Sequence, residues 1–295
     1  MALYTTLASL SQTAASNVAD GSVDAPSTID QQTNLLASFI AQLRDGSGLT
    51  TGVGYLGQCQ LVKSGSNLVL QRFNGVGLTI NGVAYAIPSA GVSLAPTSLS
   101  VGTTYNIYAY MNAGTMTLEA STTARATDST TGIQIKSGDA TRTLVGKARI
   151  ITGPAWADTD EQRFVISWFN QIPRRIYNVS GSLQSTTSTT PVPISALMEF
   201  LSWGDSHVSA SFNSSVSNNT ANSIIYTALG FNTNSVASMP PAVYQAYANS
   251  SNSSATGTEV FVPSEGYNYI CTVGYVSGGT GTWAAGFDMN GVIQG

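Results

Sequence analysis

The chain has 295 residues, enough for two ordinary domains and a short extra segment, yet only 9% of them are charged, against about a quarter in an average soluble domain. Residues 1–45 hold one base and four acids, residues 46–175 ten bases and six acids, and residues 176–295 five acids and no base. This distribution offers no basic cluster for nucleic acid, no apolar run reaches the length of a membrane span, and two distant cysteines, Cys59 and Cys271, supply neither a disulfide framework nor a metal-ligand spacing.

The N-terminus, MALYTTLASLSQ, lacks the basic and apolar regions of a signal peptide, so synthesis in a cytoplasm is expected. Residues 1–25 are small and polar without a strong period, an arm that orders only against a partner. Pro26 then sits where a helix can start, Ser27 or Thr28 can cap it, and Asp30 suits its first turn. Ile29, Leu36 and Leu43 recur every seven residues, with Leu35, Phe39 and Ile40 between them, giving one apolar stripe that ends at Asp45-Gly46. A helix of about 16–18 residues is marginal alone in water. The stripe therefore packs on the chain's own β structure, on symmetry-related copies, or on a larger assembly, and the pattern leaves all three open.

The composition break near Arg174-Arg175 divides the remainder into a middle domain, 51–175, and a C-terminal domain, 176–295. In the middle domain, strands are expected over 55–63, 67–73, 78–80, 83–87, 105–111, 115–120 and 142–150. Asn81-Gly82 is a type I′ hairpin signal, and residues 112–114 form a second turn. Phe164, Trp168 and Ile172 recur every four residues after Asp158 and Thr159, which predicts a closing helix that ends before Pro173 and covers the sheet with an aromatic face. The bases of this domain read as solvated surface. In the C-terminal domain eight strands are expected over 176–183, 192–203, 207–212, 222–230, 243–249, 259–262, 267–276 and 282–293, the last of them central, which fits a β-sandwich or jelly roll.

Three motifs invite a catalytic reading and the residues around them argue against it. Gly52 to Gly57 spell G-x-G-x-x-G, but a helix precedes and a strand follows, the reverse of a dinucleotide site. Gly204-Asp205-Ser206-His207 resembles a hydrolase nucleophile block, yet His207 is the sole histidine and adjoins the serine on a strand, where the two side chains diverge. Carboxylate pairs for glycoside hydrolysis could be drawn from Asp158, Asp160 and Glu161, from Glu199 with Asp205, or from Glu259 with Glu265, and nothing selects among them. No enzymatic activity and no cofactor are expected. Binding is more plausible: aromatic rings among Asn, Ser and Thr suit sugar recognition, and Trp203, Tyr244, Tyr247 and Trp283 are the candidate receptor contacts.

The block 24–46, DAPSTIDQQTNLLASFIAQLRDG, resembles the N-terminal region of tailed-bacteriophage fibres and other virion appendages, as do residues 105–156 with EQRFVISWFN at 161–170. The C-terminal domain resembles the jelly-roll tips of such fibres. This resemblance implies a non-enzymatic, usually homotrimeric virion protein that docks on the tail or head–tail connector and presents its tip to a host glycan or protein. By the same resemblance Asp24, Pro26 and Ile29 belong to the virion-docking segment, and Leu36, Phe39, Ile40 and Leu43 to the subunit contact. A long coiled-coil or β-helical shaft is missing, so a stubby fibre or adaptor is expected. The alternatives are a head fibre or decoration protein, a soluble carbohydrate-binding module, and a glycan depolymerase.

Overall fold

The computed structural model describes Leu36 and residues 56–195, 197–237 and 240–295. Leu36 is helical; Asp24, Pro26, Ile29, Phe39, Ile40 and Leu43 lie outside the described residues. From residue 56 onward the described chain is mainly β, without a helix.

Thirteen strands precede residue 170: β1 (Cys59–Ser64), β2 (Asn67–Arg72), β3 (Gly77–Ile80), β4 (Val83–Ala86), β5 (Val92–Leu94), β6 (Thr104–Asn112), β7 (Thr115–Ser121), β8 (Arg125–Thr127), β9 (Gln134–Lys136), β10 (Asp139–Ile151), β11 (Ala155–Trp156), β12 (Gln162–Arg163) and β13 (Val165–Ser167). The hairpins form where small left-handed residues allow them. Asn81 and Gly82 have φ of 50° and 75°, and Ala113 and Gly114 have 47° and 84°, the backbone of a two-residue type I′ turn. The long strand β10 organises this half, since β6, β9, β11 and β13 all pair with it. A smaller sheet, β1-β2-β5, shares a core with it, in which Leu61, Leu68 and Leu70 meet Ile107, Leu118 and Val145. At Gly146, where the β10–β6 register shifts, an added Cβ would lie 2.6 Å from the Ile166 carbonyl, so only glycine lets the strands meet there.

The closing helix expected over 158–172 is not formed. Instead Gln162–Arg163 pairs in parallel with a strand of the C-terminal half, and Val165–Ser167 pairs antiparallel with β10. The physical reason is two-sided burial. Phe164 and Ile166 face one apolar cluster while Val165 between them faces another. An apolar run buried on both sides carries no strand alternation, and a spacing of four imitates a helix. Thr159 caps a turn rather than a helix, its Oγ1 accepting from the Gln162 N–H at 3.2 Å.

Eleven strands follow: β14 (Pro173–Val179), β15 (Gln184–Thr186), β16 (Val192–Pro193), β17 (Met198–Ser202), β18 (Val208–Asn218), β19 (Ile224–Phe231), β20 (Ala242–Gln245), β21 (Asn252–Phe261), β22 (Gly266–Val276), β23 (Gly281–Trp283) and β24 (Asp288–Gln294). They form two facing antiparallel sheets. One runs β21-β18-β24-β14, with β23 and β15 extending it past interruptions; the other runs β20-β19-β22-β17, with β16 beside β22 and β12 added at the β17 edge. The inward residues alternate along each strand, as in β18, where Val208, Ala210, Phe212 and Val216 are buried and Ser209, Asn213 and Ser215 are exposed. Trp283 fills the centre, fully buried, with its indole N–H donating to Thr227 Oγ1 at 2.9 Å. The single strands expected over 192–203 and 282–293 are each broken in two, whereas β18 and β21 are longer than expected, because the Ser and Asn at many of their outward positions give little strand signal.

Candidate functional site

Between the two halves lies a joint of aromatic rings and paired charges. Tyr108, Leu144, Ala157, Phe164 and Ile166 pack against Leu201 and Trp203. Trp203 is 3% exposed; its indole N–H donates to the Ser167 carbonyl at 3.1 Å, and Trp168 meets it edge-on at 4.9 Å. Lys147 lies 4.6 Å from the Trp203 ring and 2.8 Å from Glu265. Arg125 grips the same carboxylate with two N–H groups at 3.1 and 3.2 Å and stacks over Trp168. Alongside, Arg149 covers the Tyr267 ring at 4.2 Å, and the Tyr267 hydroxyl donates to Glu199, which also accepts from Gln162. Three bases of the middle segment are thus spent on acids and rings of the base-free C-terminal segment, which corrects the reading of those bases as solvated surface.

The electrostatics follow the packing. Burial pushes the Glu265 carboxyl up, but the hydrogen bonds and charges of Lys147 and Arg125 outweigh it and hold the group below the ordinary carboxylate value. Burial lowers the Lys147 ammonium, and Glu265 opposes that fall. Tyr267 is raised by burial and by its bond to Glu199. Cys59 and Cys271 are free and buried, their thiols pushed up to about 12 and about 11, so both are protonated and inert at neutral pH.

The sandwich carries a cleft of about 130 Å³ between β18 and β21 on one side and β19 and 240–242 on the other. Phe212, Thr227, Pro241, Thr256, Thr258 and the buried Glu259 are among the groups that line it. Phe212 gives it a ring and Glu259 a carboxylate, while the Thr227 hydroxyl already accepts from Trp283 and Thr256 and Thr258 occupy exposed positions of β21. On the far face of the same sheet Tyr226 and Tyr275 stack at 4.4 Å and 8°.

The four residues proposed as receptor contacts are not brought together. Trp203 and Trp283 are interior residues, in the joint and in the sandwich core, where they cannot meet a ligand. Tyr244 is half-buried against the core, with its hydroxyl bonded to Ser251. Tyr247 alone stands out, 82% exposed. Three of the carboxylates weighed as acid–base pairs are held by bases, Asp158 by Arg174 at 2.6 Å, Asp160 by Arg163, and Glu265 as above, while Glu199 accepts from Tyr267 and Gln162. Gly204, at φ 81°, makes the turn from β17 into β18. Among the described residues no group of three or more His, Cys, Asp or Glu could hold a metal ion, and no helix is long and apolar enough to cross a membrane.

No protein-family model matches the chain, and no curated protein matches it either. Among solved structures, the chain is similar to Eiger TNF from S. frugiperda at 7% identity and TM-score 0.30, over 41% of this chain and 91% of that one. It is also similar to the infectious bursal disease virus VP2 subviral particle at 11% identity and TM-score 0.33, over 87% of this chain and 78% of that one. A third likeness, to a β-porphyranase from Bacteroides plebeius, has 15% identity and TM-score 0.26, over 83% of this chain and 38% of that one. Identities and scores this low define no family for the chain.

Proposed function

We propose that the chain is a structural protein of a tailed-bacteriophage particle, a short homotrimeric fibre or spike. Its residues 1–50 anchor it to the tail or head–tail connector, and its C-terminal sandwich faces the host surface. The observation that carries this reading is the joint, where Lys147, Arg125 and Trp203 lock a middle body to a terminal one without a flexible linker. A spike has to transmit position from anchor to tip, and such a joint does so. The strand orders β21-β18-β24-β14 and β20-β19-β22-β17 give the eight-run, two-sheet connectivity of a jelly roll, in keeping with a tip domain. Asp158, Asp160 and Glu265, three of the carboxylates that catalysis could have used, are held by bases, which favours binding over catalysis.

The cleft beside Glu259 favours a second reading, a soluble carbohydrate-binding module. One experiment separates the two. Phage particles carrying a chain deleted for residues 1–46 are probed with antibody to the sandwich. The spike reading expects gold label on intact wild-type particles, at the tail, and none on the deletion particles. Label on the head would assign a head fibre or decoration protein. An unlabelled particle, together with full glycan binding by the deleted chain, would sink the virion reading.

A further inference from the structure

The outward face of the sheet β21-β18-β24-β14 has the make-up of a covered surface. Its strand register sets three rows across the sheet: Val260, Ser209, Val292 and Arg175; Thr258, Ser211, Asn290 and Tyr177; Thr256, Asn213, Asp288 and Val179. Val179, Val260, Val292, and Val262 just past the strand end, are between 44% and 68% exposed, so four of the exposed large apolar side chains gather on one face. Apart from Tyr177 and two charges the rest of the face is short and neutral, with Ser211 donating to Asn290 and Ser254 to Asn213 within it. Among the described residues the middle half touches this sheet at its β14 edge, where Asp160 and Arg163 bond the backbone of Tyr177 and Arg175, and otherwise packs at the β17 edge and against the joint.

Two charges stand in these rows, Arg175 and Asp288. They are four residue steps apart along the strands, about 13 Å, too far to pair with each other. Arg175 rests on the Tyr177 ring and reaches Asp160 only at 3.9 Å, and the Asp288 carboxylate has no ion-pair partner among the described residues. A base held only by a long contact to Asp160 and an acid without an ion-pair partner, set well apart on one face, can pair between neighbouring copies arranged around a symmetry axis. In a symmetric contact, residue i of one copy meets j of the next. The area also fits. β18 and β21 span 11 and 10 residues and β14 and β24 seven each, so the four strands present roughly 550 Å² per copy, close to the lower end of the about 600–1,000 Å² per partner in a standard stable interface.

We propose that this sheet face is a subunit interface between copies of this chain, in which Arg175 of one copy pairs with Asp288 of its neighbour across a floor of valines and small polar side chains. It rests on the self-association in the spike reading and places a contact in the sandwich rather than only in the stripe of residues 29–43. Other occupants fit less well: an anionic partner would meet a segment without bases beyond Arg175, and a cationic one would find a single acid in the three rows.

The test is sedimentation of the full-length chain across a dilution series, with Arg175→Asp, Asp288→Arg, the double exchange, Val260→Asp, and Val243→Asp on the opposite sheet as a control; circular dichroism confirms folding of each. We expect each single charge reversal and Val260→Asp to weaken self-association at least about tenfold. The double exchange should restore most of the loss, and the control should change nothing. Wild-type assembly that none of the face variants alters would overturn this interface and leave the spike reading standing. A wild-type chain that stays single at every concentration would overturn both.

Discussion

Lys147 is a cation with its side chain almost wholly out of water, and its tolerance depends on Glu265. Glu265→Gln should lower unfolding free energy in urea by about 1–2 kcal/mol, a value reduced because Glu265 itself is partly solvated. Acid should act on the same pair. With its folded-state value depressed, Glu265 contributes stability that is present above the ordinary carboxylate value and lost as pH falls through the folded one. Thermal melts should therefore show stability dropping as pH descends below the ordinary carboxylate range, and in Glu265→Gln that drop should shrink. At the same scale, Trp283→Ala should cost about 3–5 kcal/mol, since it empties the sandwich centre and leaves Thr227 without its donor. How these tryptophans would be used was not legible in their neighbours. Trp283 is buried by a partner 56 positions away and Trp203 by Ser167, 36 positions away, so local composition made both look available for a ligand. The acids and bases were legible as a sharp asymmetry along the chain. What the asymmetry was for became visible only once Arg125 and Lys147 were seen to meet Glu265 across the joint.

Individual strands reveal which local signals suffice. β3–β4 and β6–β7 were readable because a two-residue turn fixes each one's register: Asn81-Gly82 in one, Ala113-Gly114 in the other. β21 was mostly unread because in NSSATGT only Thr256 and Thr258 favour a strand, and it is a strand because ten pairings to β18 make it one. β13 was misread as helix because its two faces are both buried. Along β22, Gly274 is where the Trp283 ring crosses: an added Cβ would lie 2.3 Å from Cζ2 and 3.0 Å from Ile194 Cδ1. Gly274→Ala should therefore destabilise the sandwich by about 1–3 kcal/mol, and near-ultraviolet circular dichroism should show a loosened tryptophan environment. Gly286→Ala, in a turn with open space but a φ of 84°, should change that signal far less.

At the scale of the whole molecule, the joint and the β12–β17 pairing are the contacts expected to hold the two halves together. A protease applied at low pH, where Glu265 protonates, should release the sandwich more readily than at neutral pH, read as a fragment appearing on a gel; equal cleavage at both would show that the joint does not hold the halves. The stripe bearing Phe39 is a separate contact in the spike reading, so Phe39→Asp should lower the native mass on its own, and combined with Asp288→Arg should leave single chains.

The central position of β24 also bears on the rate at which this protein acquires its structure. It pairs on one side with β18 and on the other with β14, roughly 80 and 115 positions earlier. Until residues 288–294 arrive, β14 and β18 present open hydrogen-bonding edges separated by a strand-wide gap. Closing such distant pairings is slow, in the millisecond-to-second range, and the waiting intermediate exposes sticky edges to its neighbours. Refolding yield should accordingly fall as chain concentration rises, and peptides matching β24 should compete for the gap.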